Sequence, residues 1–322
     1  MSAPLRGAVA GLGMIGRHHA RLLQMHPEIE FAGAVDPGGD RHAAVHDPAQ
    51  VHADLDALLA TGPLDFAILA VPTEEHRGAA ERLAAAGVHV LVEKPLAGSV
   101  EDGQAIIDAC ATAGVLGAVG HVERFNPALM EARRRMNAGQ LGEVFLISTE
   151  RVGPFPDRVR DVGVVKDLGT HDLDIVRWLA DAPVEQVAAQ TAHRMGREHE
   201  DLVSVTGRLA GGTVFNSIID WVSPTKARRT RVVGRNVERD KNETAFSQFR
   251  RAAREPDAGT VRLKKSGQSR LGDRKFPLVK FVAQVGGRIE AEDFKTFGCG
   301  GQAVNDPEVG KTDKSNHISK SD

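Results

Sequence analysis

The sequence predicts an α/β fold: a doubly wound parallel sheet in an N-terminal domain, then an α+β domain with a largely antiparallel or mixed sheet. In the first third of the chain, short apolar runs alternate with amphipathic segments, which is typical of parallel βαβ units. After about residue 122, the strand-like runs enclose only one helical segment. We expect domains over residues 1–121 and 122–233, with an atypical tail over residues 234–322.

The N-terminal domain is predicted to contain five strands with helices between them. The apolar runs that indicate these strands are residues 6–10, 29–35, 66–71, 88–92 and 115–120. Thr73 is expected to cap the helix after the third run. Ser99 and Asp102 have the spacing of a capping box before the helix that follows the fourth run.

The second domain is predicted to begin with a helix that starts at Asn126 and Pro127 and ends at Gly139. Strand-like runs follow at residues 144–151, 184–194, 202–209 and 213–221, with one helix over about residues 166–179. The Gly211–Gly212 pair between the last two runs predicts a hairpin turn.

The tail differs in composition from the rest of the chain. Between Lys226 and Lys280, 17 basic residues face 6 acidic ones, an excess that could attract phosphates or nucleic acid. Because no aromatic platform or binding motif accompanies these charges, a solvated or disordered segment is favoured and no nucleic-acid partner is expected. Residues 276–285 have the apolar pattern of one further strand.

Composition argues against several classes of protein. The formal net charge of −2 gives no general attraction to nucleic acid or acidic membranes. No apolar run approaches the roughly 20 residues that span a bilayer, and the first residues lack the apolar core of a signal peptide. Two cysteines are too few for a disulfide framework or a thiolate zinc site. We therefore expect a cytoplasmic protein without a membrane partner or a metal site.

A glycine-rich turn, from Gly11 through Met14 and Ile15 to Gly16, follows the first strand and precedes a helix. Gly11 permits the tight turn, Gly13 lets the backbone approach a pyrophosphate, and Gly16 lets the helix pack closely. The amino terminus of the helix then faces the negative charge of the ligand. This spacing is the fingerprint of a Rossmann dinucleotide-binding domain.

Asp36 ends the second predicted strand, 20 residues beyond Gly16. At this place a carboxylate can accept hydrogen bonds from the ribose hydroxyls of the adenosine half. A 2′-phosphate would meet its like charge, which favours NAD over NADP. Arg41 is close enough in sequence to compensate that charge, so NADP stays the second choice.

Two sets of residues are candidates for proton transfer. Lys94 follows the strand predicted over residues 88–92, at the edge where open α/β sheets bind ligands, and its ammonium could hydrogen-bond a substrate hydroxyl. Asp167 and His171 are four residues apart and share a face if helical. His171 could then accept a proton while Asp167 orients it. A surface lysine and an exposed Asp–His pair would give the same patterns.

Taken in order, these motifs resemble the family of glucose-fructose oxidoreductase, inositol dehydrogenase and the rhizopine-catabolism protein. The matching segments are Gly11 to His19, Ala70 to His76, Glu93-Lys94-Pro95 and Asp167 to His171. The resemblance implies that Lys94, Asp167 and His171 are catalytic and that Lys94–Pro95 is a cis peptide bond. The residues that it places near the cofactor, chiefly its nicotinamide half, are Val71, Pro72, Thr73, His76, Glu93 and Lys94.

Two segments, Gly120 to Ala128 and Arg151 to Gly163, resemble the UDP-N-acetylglucosamine 3-dehydrogenase branch of this family. Guanidinium groups before the predicted catalytic helix could hold a diphosphate. The candidate substrate-binding residues are Arg124, Asn126, Arg151, Arg158 and Arg160. Arginine clusters also occur on ordinary surfaces, so free sugars and inositols stay open as substrates.

The reaction expected from this resemblance is oxidation of a sugar C3 hydroxyl by NAD to give a 3-keto nucleotide sugar, in a homodimer or homotetramer. An inositol or free-sugar dehydrogenase and a sugar ketoreductase are the alternative enzymes. A regulator that binds NAD without catalysis is the alternative from another class. The family pattern is not recognisable after about Gly234, where a replaced or frame-shifted tail is our hypothesis.

Overall fold

The computed structural model describes residues 3–156 and 162–236, which contain two sheets. The first is a six-stranded parallel sheet with the strand order β3-β2-β1-β4-β5-β6. Its strands are β1 (Leu5–Ala10), β2 (Ile29–Val35), β3 (Val51–His52), β4 (Phe66–Leu69), β5 (His89–Val92) and β6 (Gly117–Val119). The order reverses between β1 and β4, which creates a crevice at the carboxyl ends of these strands.

Helices cover both faces of the first sheet. Successive residues of a strand point to opposite faces, so each strand contributes side chains to two buried layers. Val9 and Ile68 belong to one buried cluster, whereas their chain neighbours Ala8 and Ala67 belong to another. This burial on both faces explains why the strands are apolar throughout. The helices of this domain are α1 (Gly16–Met25), α2 (Leu55–Leu59), α3 (His76–Ala85) and α4 (Val100–Ala113).

The second sheet is mixed, with the order β11-β7-β10-β9-β8. Strands β7 and β10 are parallel, and the other neighbours are antiparallel. The strands are β7 (Val144–Pro154), β8 (Val184–Ala192), β9 (Leu202–Leu209), β10 (Val214–Asp220) and β11 (Val222–Gly234). Helices α5 (Pro127–Asn137) and α6 (Thr170–Ala180) pack on one face, over Ile147 and Phe215. The predicted fold class is confirmed.

The predicted capping or terminating residues are confirmed at three helix ends, and the prediction is wrong at one. The Ser99 hydroxyl accepts the Asp102 N–H at 3.1 Å, and the Asn126 side chain accepts the Ala128 N–H at 3.1 Å. Gly139, with a φ of +70°, follows the end of α5. The prediction for Thr73 was wrong, because Pro72 initiates a 3-10 turn over Thr73–Glu75 and α3 begins only at His76.

Two strands and one helical distortion escaped the sequence analysis. Strand β3 has two residues, too few to show a period. Strand β11 carries a run of basic residues that looked like the beginning of the tail. The helix expected over residues 166–179 begins as a π-helical turn, Val165–Gly169, before α6.

Several predictions fall outside the described residues. These are the predictions for Arg158, Arg160, residues 237–322 and the strand at 276–285. In the part of the chain that the structure describes, no helix is long and apolar enough to cross a membrane.

Candidate active site

The glycine turn after β1 is shaped by the surrounding backbone. Gly11 has a φ of +90°, and a side chain there would lie 2.5 Å from the Ala70 carbonyl oxygen. A side chain at Gly16 would overlap the Gly11 carbonyl. At Gly13, by contrast, an added Cβ would meet nothing within 4 Å. Two glycines are thus needed by the protein itself, while Gly13 borders open space that a ligand can occupy.

The amino terminus of α1 fits an anionic ligand. Ile15 precedes the helix without a capping side-chain hydrogen bond, and the first turn carries no acidic residue. The first N–H groups of a helix without a cap are available to a pyrophosphate, which the helix dipole also favours. Met14 and Ile15 are 52% and 41% exposed beside this opening.

Asp36 is held at the carboxyl end of β2 by the glycine turn. Its carboxylate accepts the Leu12 N–H at 2.9 Å and the Gly38 N–H at 2.8 Å. Each carboxylate oxygen has a second lone pair for a ribose hydroxyl. The Arg41 guanidinium lies against Gly38, so a cation is present beside this acid. The glycine turn, helix terminus and acid together fit the adenosine and pyrophosphate parts of NAD.

Lys94 joins the two domains at the edge of the first sheet. It follows β5, and its peptide bond to Pro95 is cis. The Lys94 ammonium donates to the Asp167 carbonyl oxygen at 2.9 Å and lies 3.2 Å from Asp167 Oδ1. Asp167 belongs to the π-helical turn before α6. The turn therefore brings a carboxylate to the lysine from a segment 73 residues away in sequence.

His171 is the second residue of α6. Burial lowers the pKa of its imidazole well below the ordinary value, and the positive charges of Lys94 and Arg151 lower it further. The imidazole is therefore neutral at neutral pH and able to accept a proton. Its Nδ1 is buried without a hydrogen-bond partner among the described residues, which leaves Nε2 as the nitrogen that can meet a substrate.

Glu93 provides a partly buried negative charge next to Lys94. Burial alone would raise its pKa, but the His19 ring at 2.8 Å and the Lys94 N–H at 3.1 Å outweigh burial, so the pKa of Glu93 is lowered. The carboxylate packs against Gly120, where an added Cβ would lie 3.0 Å from it. A fixed negative charge at this place could stabilise the positively charged nicotinamide ring of an oxidised cofactor.

His76 is 1% exposed and connects the turn after β4 with the segment after β5. Its Nδ1 lies 3.1 Å from the carbonyl oxygens of Pro95 and Leu96, and its Nε2 lies 3.1 Å from that of Val71. The turn that contains Val71, Pro72 and Thr73 is thereby fixed relative to the Lys94–Pro95 segment.

The described arginines of the predicted substrate site are paired with carboxylates. Arg124 donates to both oxygens of Asp174, with its Nε at 2.9 and 3.1 Å. Arg151 is 6% exposed and is bonded to Asp172 and, at 3.0 Å, to Glu123. Asn126 caps α5. These contacts give all three residues structural roles, and a role in substrate binding stays a prediction.

Three residues around the site were not predicted from the sequence: His19, His121 and Arg228. His19 was quoted only as the end of a motif, yet it bonds Glu93. His121 follows β6 and lies 3.6 Å from Asp174; burial lowers its pKa. Arg228 lies on the unpredicted strand β11. For His121 a signal existed, since it follows a parallel strand at the ligand-binding edge.

Comparison with known proteins now identifies the family. The model of the oxidoreductase family with an NAD-binding Rossmann fold matches residues 5–121, and that of the GFO/IDH/MocA C-terminal domain matches residues 129–237. The chain belongs to the GFO/IDH/MocA oxidoreductase family. The predictions of this family, of a dehydrogenase and of NAD as cofactor are confirmed.

This GFO/IDH/MocA member is 34% identical over 232 residues to UDP-N-acetylglucosamine 3-dehydrogenase of Acidithiobacillus ferrooxidans, which covers 71% of each chain. It is 30% identical to scyllo-inositol 2-dehydrogenase (NAD(+)) of Bacillus subtilis, over 58% of this chain and 57% of that relative. The WlbA dehydrogenase of Bordetella pertussis, solved with NADH and UDP-GlcNAcA, has a TM-score of 0.73 at 21% identity, covering 91% and 90% of the two chains. That likeness establishes the shared fold.

Proposed function

We propose that this protein oxidises the C3 hydroxyl of UDP-N-acetylglucosamine, or of a related nucleotide sugar, to a ketone with NAD. The observation that carries the proposal is the Lys94–Asp167 contact beside a partly buried, neutral His171, at the carboxyl edge of an NAD-binding sheet. Oxidation of a hydroxyl needs a proton acceptor and a group that stabilises the developing alkoxide, and these residues have both properties.

His171 is the general base of the proposed reaction. Its neutral imidazole accepts the hydroxyl proton at Nε2. The Lys94 ammonium donates a hydrogen bond to the same oxygen, and Asp167 orients that ammonium. NAD, when bound, supplies the hydride acceptor. The residues that would hold it are Gly11, Gly13, Met14, Ile15, Gly16, Asp36, Val71, Pro72, Thr73, His76, Glu93 and Lys94.

The substrate proposal rests on the relative from Acidithiobacillus ferrooxidans, whose 34% identity extends over both domains. The inositol dehydrogenase relative at 30% identity supports a second candidate, oxidation of an inositol or free sugar. A regulator without catalysis is disfavoured, because such a protein has no need for a partly buried, neutral histidine beside a lysine–aspartate pair.

A substrate panel tests this proposal. The protein is incubated with NAD and, separately, UDP-N-acetylglucosamine, N-acetylglucosamine or scyllo-inositol, and NADH formation is followed by absorbance. We expect the highest kcat/KM with the nucleotide sugar and a ketone at C3 in the product by NMR. A higher value with scyllo-inositol would favour the second candidate, and NAD binding without turnover of any substrate would favour the regulator.

A further inference from the structure

Arg228 lies on the helix-covered face of the second sheet. Strand β11 pairs with β7 so that Arg228 stands opposite Arg151, which is 6% exposed. Four residues further along β11, Val232 belongs to the core beneath α6. Because alternate residues of a strand share a face, Arg228 points to the same side of the sheet as α6, which carries His171.

Arg228 differs from neighbouring arginines in its partners. Arg151 is bonded to Asp172 and Glu123, and Arg229, on the opposite face, is bonded to Glu150. The Arg228 Nη1 donates to the carbonyl oxygens of Val152 and Ala227, both at 2.8 Å. Within residues 3–156 and 162–236, no carboxylate accepts a hydrogen bond from Arg228. The two carbonyls fix the guanidinium, while Asp172, Glu123 and Asp167 attract its charge without accepting a hydrogen bond from it.

The charge of Arg228 acts at the reaction site. It is among the causes that lower the pKa of His171, after burial, Lys94, Arg151 and His121. Burial and then repulsion by Arg151 lower the pKa of Arg228 itself, and the attraction of Asp172, Glu123 and Asp167 only partly opposes them. Burial and repulsion by Arg151 both destabilise the charged form of Arg228. An anionic ligand would stabilise that charge, because a charge-assisted hydrogen bond formed away from bulk water is strong.

We infer that Arg228 binds the anionic part of the substrate, which on a nucleotide sugar is the diphosphate. The inference rests on the proposed function and deepens it, since it names the residue that would distinguish a nucleotide sugar from a neutral sugar. It also assigns the diphosphate to a guanidinium on β11, whereas Arg151 is already occupied by Asp172 and Glu123.

Kinetics of Arg228→Gln, Arg228→Lys and the matched control Arg229→Gln test the inference. With UDP-N-acetylglucosamine, loss of a charge-assisted bond raises KM about tenfold or more in Arg228→Gln, less in Arg228→Lys, and not in Arg229→Gln. The KM for NAD stays unchanged in all three variants. An unchanged KM for the nucleotide sugar in Arg228→Gln would overturn the inference.

Calorimetric binding of UDP, measured without turnover, separates this inference from the proposed function. UDP binds the wild type and Arg229→Gln, and binds Arg228→Gln more weakly, even if UDP-N-acetylglucosamine proves not to be oxidised. Equal UDP binding by all variants overturns the role of Arg228 but leaves the dehydrogenase proposal intact. If Arg228→Gln does not fold, Arg228→Lys decides, since it keeps the charge and loses the forked geometry.

Discussion

The protonation of His171 gives the site a predictable pH dependence. Burial and neighbouring cations lower its pKa below the ordinary value of 6.5. The pH must therefore fall to that lower pKa before His171 becomes protonated and can no longer act as a base. We expect kcat/KM for sugar oxidation to be level near neutrality and to fall only in the acid range, as His171 becomes protonated. A pH profile of initial rates at subsaturating sugar measures this.

The effect of the Lys94 charge on the His171 pKa predicts how a substitution of Lys94 shifts the pH profile of kcat/KM. Lys94→Gln removes a positive charge next to His171, so the acidic limb of its residual activity should move to higher pH. A wild-type inflection above 6.5, or a Lys94→Gln profile that moves toward acid, would contradict the assignment of His171 as the base in this electrostatic setting.

At the residue scale, motifs indicated the candidate catalytic residues, whose roles stay predictions, but they gave no sign of the ion pairs around them. Lys94 and Asp167 could be named from their motifs, but their mutual contact depends on the fold of two domains. Arg124 and its partner Asp174 are 50 residues apart, and no local pattern indicates such a pair. Arginines that look available in the sequence are therefore often already neutralised in the fold.

At the scale of elements, the glycine turn offers a substitution that separates folding from ligand binding. Gly13→Ala meets no protein atom within 4 Å, so the protein should fold, but the added methyl fills space that a pyrophosphate needs. We expect NAD affinity to fall at least about tenfold with little change in Tm. Calorimetric titration with NAD and thermal unfolding measure the two effects.

Two other glycines serve as controls. Gly78→Ala, in α3 and also without neighbours within 4 Å, should leave NAD binding unchanged and stabilise the helix by about 0.5–1 kcal/mol. Gly16→Ala would overlap the Gly11 carbonyl and should destabilise the domain. Unchanged NAD affinity in Gly13→Ala would show that the ligand does not approach this turn closely.

A buried ion pair connects strand β7 with helix α6. Asp172 is 2% exposed and bonded to Arg151; burial raises its pKa, although Arg151 opposes that rise. Arg151→Met leaves Asp172 without its partner, and we expect a loss of about 3–5 kcal/mol in the free energy of unfolding. Urea denaturation measures it, with exposed Arg229→Gln as the control, and a loss below about 1 kcal/mol would contradict the structural role.

Elements with a clear apolar period could be predicted, and those governed by long-range pairing could not. Strands β2 and β9 were predicted with the observed limits. Strand β11 was not predicted, because its basic residues are typical of a solvated segment. Its 13 residues form a strand because they pair with β7. The π-helical turn at Asp167 lacks a local sequence signal as well.

At the scale of the whole molecule, the homo-oligomer expected from the sequence stays a prediction, and a face of the second sheet that is exposed among the described residues offers a test of it. On β10, Val214 and Ile218 are 44% and 48% exposed, on the side opposite the buried Phe215. If two copies pair through this face, Ile218→Lys should convert the oligomer to a monomer, because a charge would be buried in the interface. Light scattering during size-exclusion chromatography measures the mass, and a monomeric wild type would contradict the expectation.

The arrangement of the two domains explains why the fold class was predictable and the site only in part. Alternating apolar runs and the glycine turn determine the Rossmann sheet locally. The site, however, combines Lys94 from the first domain with Asp167 and His171 from the second, and their distances follow from packing between domains.

The measurement that tests the central claim most directly is NADH formation from NAD and UDP-N-acetylglucosamine by the wild type, Lys94→Ala and His171→Ala, with NAD binding measured on the same preparations. We predict turnover by the wild type, and a loss of about 10²–10⁴-fold in each variant that still binds NAD. Full activity in either variant would contradict the assigned site, and a wild type that binds NAD but oxidises no sugar would contradict the proposed reaction.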